Sequence, residues 1–204
     1  EIAHAVRGVN LPFADDPKMT ISNAVIHGNS VEGIRIHAGR RDQVSDDDVI
    51  IEDSRVHNNG GAGIIVLAQG GGTSSPPIGA SARPTIRHNE IDNNATYGIQ
   101  VSSSYSAGPT YASSAFASPT VDGNNIHHNV DGIRISAFDV VGSFGSGWAT
   151  GRYVNNVVAN NTGNGIEVFR TGDGILQPDL INNTIVSNGA AGIFHDADSG
   201  PITI

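Results

Sequence analysis

Isoleucine and valine recur two residues apart along the chain, in short runs separated by turn-forming residues, and the runs themselves repeat. Six segments share one frame: MTISNAVIHGNSVEGIRI (19–36), VIIEDSRVHNNGGAGIIV (49–66), PTIRHNEIDNNATYGIQV (84–101), PTVDGNNIHHNVDGIRI (119–135), GRYVNNVVANNTGNGIEV (151–168) and PDLINNTIVSNGAAGIFH (178–195). Gly-Ile dipeptides mark the frame at Gly33, Gly63, Gly98, Gly132, Gly165 and Gly192, with spacings of 30, 35, 34, 33 and 27 residues. The core of each copy is therefore held while the segments between copies vary. A weaker copy precedes them at Gly8-Val9-Asn10-Leu11.

Aligning the copies sorts the residues into columns. One column is isoleucine throughout: Ile34, Ile64, Ile99, Ile133, Ile166 and Ile193. Two residues on come Ile36, Val66, Val101, Ile135 and Val168, and then His195. Further apolar columns run Ile26, Val56, Ile91, Ile126, Val158, Ile185 and Ile21, Ile51, Ile86, Val121, Tyr153, Leu180. A spacing of two is that of a strand with alternate side chains facing inward. Asn29, Asn59, Asn94, Asn129, Asn161 and Asn188 form a polar column between the strands, with a second at Asn89, Asn124, Asn156 and Asn183. Asparagine tolerates left-handed turn conformations, and stacked asparagines bond one another. These columns predict parallel strands stacked coil on coil, with corners at the asparagines.

The pattern resembles the N-x-I-x-x-N-x-x-x-G-I-x-V type of right-handed parallel β-helix repeat, over nearly the whole chain. The resemblance implies an all-β solenoid of about seven coils, a rod about 30 Å long at about 4.8 Å per coil, folded as one domain over residues 1–204. Glu1-Ile2-Ala3 opens inside a repeat, and Pro201-Ile202-Thr203-Ile204 resembles the start of another coil. Solenoids need polar caps, so we expect a segment of a longer protein or a protomer capped by neighbours, with end-to-end self-association as one mode of partnership.

Composition narrows the partners. Lys+Arg 11 against Asp+Glu 20 leaves a net charge of −9, with Lys18 the single lysine. Such a chain does not suit general nucleic-acid binding, which depends on neutralising phosphates. No apolar run approaches the roughly 20 residues of a membrane helix, and zero cysteines exclude disulfides and thiolate chemistry.

Insertions fall after the G-I-x-V strand, at about 37–48, 68–83, 102–118, 136–150 and 169–177, and long loops sharing one face of a solenoid mark a binding face. Beside them the outward residues form the column Arg35, Ile65, Gln100, Arg134, Glu167, Phe194, the expected floor of a groove. Arg35 and Arg134 offer forks for uronate carboxylates. Tyr105, Tyr111 and Trp148 offer rings that stack on sugars or pack the loops, and Gln100 and Arg170 complete the candidate binding set. Asp46, Asp47 and Asp48 are a candidate calcium run or a solvated loop, and calcium is the one cofactor suggested. His57, Asp92 and His127, with His27 before them, should stack on consecutive coils as a metal or acid–base set, or as ordinary polar alternation.

The repeat is similar to those of mannuronan C5-epimerases and related polysaccharide lyases. Those epimerases carry a D-P-H motif on the equivalent strand, and only His37 falls at its histidine position here. The paired-Asp and G-H-G signatures of polygalacturonases are absent, so no family's catalytic set transfers residue by residue. The functional expectation is an extracellular or cell-surface protein that binds or modifies an acidic polysaccharide, by epimerisation or β-elimination in the latter case. There Arg35 and Arg134 would neutralise a carboxylate while His37 or Glu167 moves a proton. A non-catalytic adhesion or carbohydrate-binding module and a structural rod are the alternatives.

Overall fold

Within each copy the apolar pairs form three short strands separated by tight corners, and a fourth strand closes the coil. This arrangement comes from a computed structural model that describes residues 1–13, 18–39, 43–44, 49–70, 79–105, 114–139, 146–196 and 202–204. Corresponding strands of successive coils pair in parallel and build four sheets. The first sheet has six strands (such as Val49–Glu52 and Thr85–Arg87) and the second has seven (such as Arg55–His57 and Glu90–Asp92). The third has seven (among them Ile34–Ala38, Ile64–Gly70, Tyr97–Tyr105, Asp131–Asp139 and Ile166–Thr171) and the fourth five (such as Ala80–Ala82 and Gly147–Ala149). There is no helix among the described residues. Five coils carry all four sides, at 19–44, 49–82, 85–117, 120–149 and 152–176, with an incomplete coil before and after. The expected seven coils are thus reached only in the second and third sheets.

All four apolar columns face inward as expected. Ile34, Ile64, Ile99, Ile133 and Ile166 are fully buried, as are Ile51, Ile86 and Val121 of the first sheet. Tyr153 shares that first-sheet column, buried, its hydroxyl donating to the Thr150 carbonyl at 3.3 Å. Burial pushes its phenol pKa up.

The fourth sheet corrects the expectation that the insertions are loops alone. Its strands Ala80–Ala82, Ala115–Ala117, Gly147–Ala149 and Ile175–Leu176 lie within those segments. Inward-facing Ala80, Ala82, Ala115, Ala117 and Ala149 are buried, so this side of the coil packs close to the core with small side chains. Alanine-rich triplets carry little strand signal of their own, which is why pairing rather than pattern reveals them.

The corners also differ in one respect from the expected arrangement. The left-handed residue is the one before each ladder position: Asn58 (φ 52), Asn93 (54), His128 (56) and Asn160 (55) at one corner, His88 (54) and Asn155 (54) at the other, where Asp53 (48) precedes Ser54 in place of an asparagine. The ladder asparagine itself points inward. Asn94 accepts on Oδ1 from the Asn59 backbone N–H at 3.2 Å and its Nδ2 at 2.9 Å, and donates through its own Nδ2 to the Val56 carbonyl at 3.1 Å and Asn129 Oδ1 at 3.0 Å.

Candidate functional site

The outward positions of the third sheet form the face that the repeat pattern singled out. Parallel register places Asn10, Arg35, Ile65, Gln100, Arg134, Glu167 and Phe194 in one row across seven strands. His37 belongs to the next outward row, with Leu67, Ser102, Ser136 and Phe169.

At the first-coil end of this face Arg7, Asn10, Arg35 and His37 line a recess of about 210 Å³. Two guanidiniums share one carboxylate there: Arg7 Nε lies 2.7 Å from Glu32 Oε2 and Arg35 Nη1 3.5 Å from Glu32 Oε1. Glu32 is buried. Two cations against one anion leave a surplus positive charge in a chain whose net charge is −9. The His37 imidazole is half-buried. Burial, and then the neighbouring Arg35 charge, hold its pKa below the ordinary histidine value, with a hydrogen bond from the imidazole to Gln69 acting the other way. Its Nε2 is buried without a hydrogen-bond partner.

Arg134 stands further along the row in a different setting. Its Nε is 3.4 Å from Glu167 Oε2, its Nη1 donates to the Tyr97 hydroxyl, and its guanidinium carbon lies 5.2 Å from the Tyr97 ring centre and 5.5 Å from that of Phe169. Tyr97 was not among the sequence candidates. Its signal was available in retrospect, as an aromatic one position before the Gly-Ile pair, where the other copies carry Glu32, Ala62, Asp131, Asn164 and Ala191.

Several candidates are not brought together. Three coil steps, about 14 Å, separate the strand of Arg35 and His37 from that of Arg134, and a fourth step reaches Glu167. The four do not surround one carboxylate, and the proton-transfer set expected of them is not assembled. Tyr105 is 1% exposed and offers no ring face to a sugar, because its strand continues past the groove and turns it inward. Trp148 sits on the fourth sheet, stacked on Phe116 at 5.8 Å between ring centres, not over the third-sheet row. Arg170 has the register of inward-facing Ala137, and its Nη1 donates to the Gly174 carbonyl at 3.4 Å. Gln100 is half-exposed in the row, as expected. Tyr111, Asp46, Asp47 and Asp48 lie outside the described residues.

The second sheet carries the histidine row, in the order the repeat implied: His27, His57, Asp92 and His127 on consecutive strands. The His27 and His57 rings stack at 5.0 Å and 9°. Burial, then the Arg55 charge, lowers the His57 pKa. Burial alone would raise the Asp92 carboxyl, but hydrogen bonds from Arg55 and Asn93 and the Arg55 charge bring it below its ordinary value.

Comparison with known proteins adds a family. Residues 4–136, which are 133 of the 204, match the family described as "Right handed beta helix region". The chain belongs to this family. The match also supplies the hand of the solenoid, right-handed as the repeat implied. No curated protein sequence matches this right-handed β-helix chain. Among solved structures it is similar to the A-module of the Azotobacter vinelandii mannuronan C-5 epimerase AlgE4, with a TM-score of 0.55 at 14% identity over 99% of this chain and 56% of that one. It is also similar to the A-module of AlgE6 from the same organism, at 0.50 and 17% over 95% of this chain and 56% of that one. The β-helix described here thus spans little more than half of each module, and at these identities the likeness is one of fold.

Proposed function

We propose that this right-handed β-helix binds an acidic polysaccharide along its third-sheet face, with a uronate carboxylate seated against Arg7, Asn10, Arg35 and His37. The observation that carries the proposal is that recess: two guanidiniums around one buried carboxylate, an amide, and an imidazole whose Nε2 has no partner. Arginine forks hold carboxylates through paired charge-assisted hydrogen bonds. A pyranoside unit is about as long as one coil step, about 4.8 Å, so successive sugars follow the row toward Gln100 and Arg134. The fold's likeness to modules named as mannuronan epimerases supports the substrate class. Binding without turnover is favoured because His37 lies about 14 Å or more from Arg134 and Glu167. An extracellular or cell-surface setting goes with such a ligand.

Calorimetry with alginate and pectate oligomers, with and without calcium, tests this. Oligouronates should bind, and neutral oligosaccharides of equal length should not. Arg35→Ala should weaken binding roughly 10- to 100-fold, the loss of about 1.5–3 kcal/mol typical of a hydrogen bond to a charged group. Glu32 keeps Arg7 as partner, so the fold should survive. Equal affinity for neutral sugars, or an unaffected Arg35→Ala, would overturn the proposal. Proton NMR of the polysaccharide separates binding from turnover, since new anomeric or unsaturated-sugar signals appear only with a reaction.

His37 makes the binding pH-dependent. Its free-state pKa lies below the ordinary value, so it is largely neutral at pH 7, and a bound carboxylate favours its protonated form. Binding then takes up a proton, and affinity should rise as pH falls from 7 toward 5. In His37→Gln the rise should vanish; a rise that persists would place the titrating group elsewhere.

A further inference from the structure

A group of ligand-bearing side chains on the second sheet takes no part in the proposed polysaccharide binding. We propose that Glu90, Asp92 and His127 hold a divalent transition-metal ion, for which zinc is the probe. Glu90 and Asp92 are alternate residues of one strand, both facing outward, and His127 is the register partner of Asp92 on the next. One ligand atom from each, two carboxylate oxygens and an imidazole nitrogen, can lie within 4.8 Å of the others. His127 Nε2 and Glu90 Oε1 are 3.5 Å apart, close to the roughly 3.4 Å between ligands of a tetrahedral ion with bonds of about 2.1 Å. All three sit on strands locked between neighbouring coils, so the set is pre-arranged.

The second shell suits a metal. His127 Nδ1 lies 2.8 Å from His128 Nδ1. A proton on His127 Nδ1, donated to His128, puts the lone pair on Nε2, on the side of Glu90. Metal-bound imidazoles are held in this way by a partner at their other nitrogen. The Asp92 side chain is 1% exposed, and the Asn93 amide donates to its Oδ2 at 2.6 Å.

Arg55 provides the positive charge that the site holds without metal. Its Nε and Nη2 each lie 2.9 Å from an Asp92 oxygen, and its Nε is 3.8 Å from Glu90 Oε2. One guanidinium against two carboxylates leaves a net charge of −1 when His127 is neutral. Asp92 Oδ2 accepts from both Arg55 and Asn93, whereas Oδ1 accepts from Arg55 Nε and has a second lone pair, so Asp92 can keep an arginine contact while ligating an ion through Oδ1. The Arg55 side chain is 45% exposed, and a depression of about 500 Å³ lined by Asn23, Val25, Arg55, His88 and Glu90 opens beside it. It gives the guanidinium room to withdraw and the ion a path in. Two oxygens and one nitrogen suit zinc and its first-row neighbours; calcium takes 6–8 oxygens.

Calorimetry and thermal unfolding of the whole chain with zinc chloride, after chelator treatment, test the site. Wild-type protein should bind one zinc saturably, with a midpoint of unfolding that rises with zinc. His127→Ala, a surface change whose fold is checked by circular dichroism, should weaken binding at least 100-fold. His128→Ala should weaken it about 10-fold, as second-shell losses do. Arg55→Gln should tighten it, because a competing positive charge leaves. No saturable zinc binding, an unchanged affinity in His127→Ala, or a weaker one in Arg55→Gln would each overturn the proposal.

Discussion

Gly132→Ala should destabilise the solenoid by about 3 kcal/mol or more, or leave it unable to fold. A Cβ at Gly132 would lie 2.5 Å from the Gly165 carbonyl oxygen, 2.3 Å from Val158 Cγ1 and 3.0 Å from Asn161 Nδ2. The valine methyl can rotate away. The carbonyl cannot, because it accepts the Ile133 N–H at 2.9 Å in the ladder that joins the two coils. Overpacking in a tight core costs about 1–3 kcal/mol, and more where backbone must move. Gly192→Ala is the internal control, since its nearest contact would be an ordinary 3.6 Å to Ile185 Cγ2. Urea unfolding followed by circular dichroism should therefore show a collapsed midpoint for Gly132→Ala and an almost unchanged one for Gly192→Ala. Equal midpoints would mean that the Gly-Ile pairs are not where coils approach most closely.

Asn94→Ala should cost about 3–5 kcal/mol by the same measurement. Among the described residues the Asn94 amide is the only partner of Asn59 Nδ2, and it also meets the Asn59 N–H, the Val56 carbonyl and Asn129 Oδ1. Asn59, Asn94 and Asn129 are all buried, so water does not replace the lost groups. Each buried donor or acceptor left unpaired costs about 1–3 kcal/mol; the carbonyl and Asn129 Oδ1 retain other donors and contribute little. Asn183→Ala, in the half-exposed last rung, should cost clearly less. A mild effect at Asn94 equal to that at Asn183 would show that the asparagines fill corners without bonding between coils.

The proposed site divides along a physical line. Arg35, Gln100, Arg134 and Glu167 share one outward row because strand alternation and coil register are local and repetitive, so the spacing of the Gly-Ile pairs suffices to align them. Tyr105 and Arg170 were misplaced because the third-sheet strands run on past the repeat motif, to Tyr105 and Thr171, and alternation then turns these side chains inward. Trp148 was misplaced because GWA, like ASA and AFA, forms strand by pairing with its neighbours, without an intrinsic preference. The recess at Arg7 and Glu32 had no sequence signal, since Arg7 precedes the first clear copy and meets Glu32 only when coils stack.

Sequence alone determined the stacked coil, its inward columns, its asparagine corners and the order of the two outward rows. Each follows from a period of two within strands and the recurrence of the same residue types in the same columns, which any parallel stack must respect. Only the tertiary structure decided the fourth side of the coil, the residue that takes the left-handed turn, and which charges meet. Those depend on how far each strand continues and which side chains face each other across a coil step, and both are set by packing between segments about 30 residues apart.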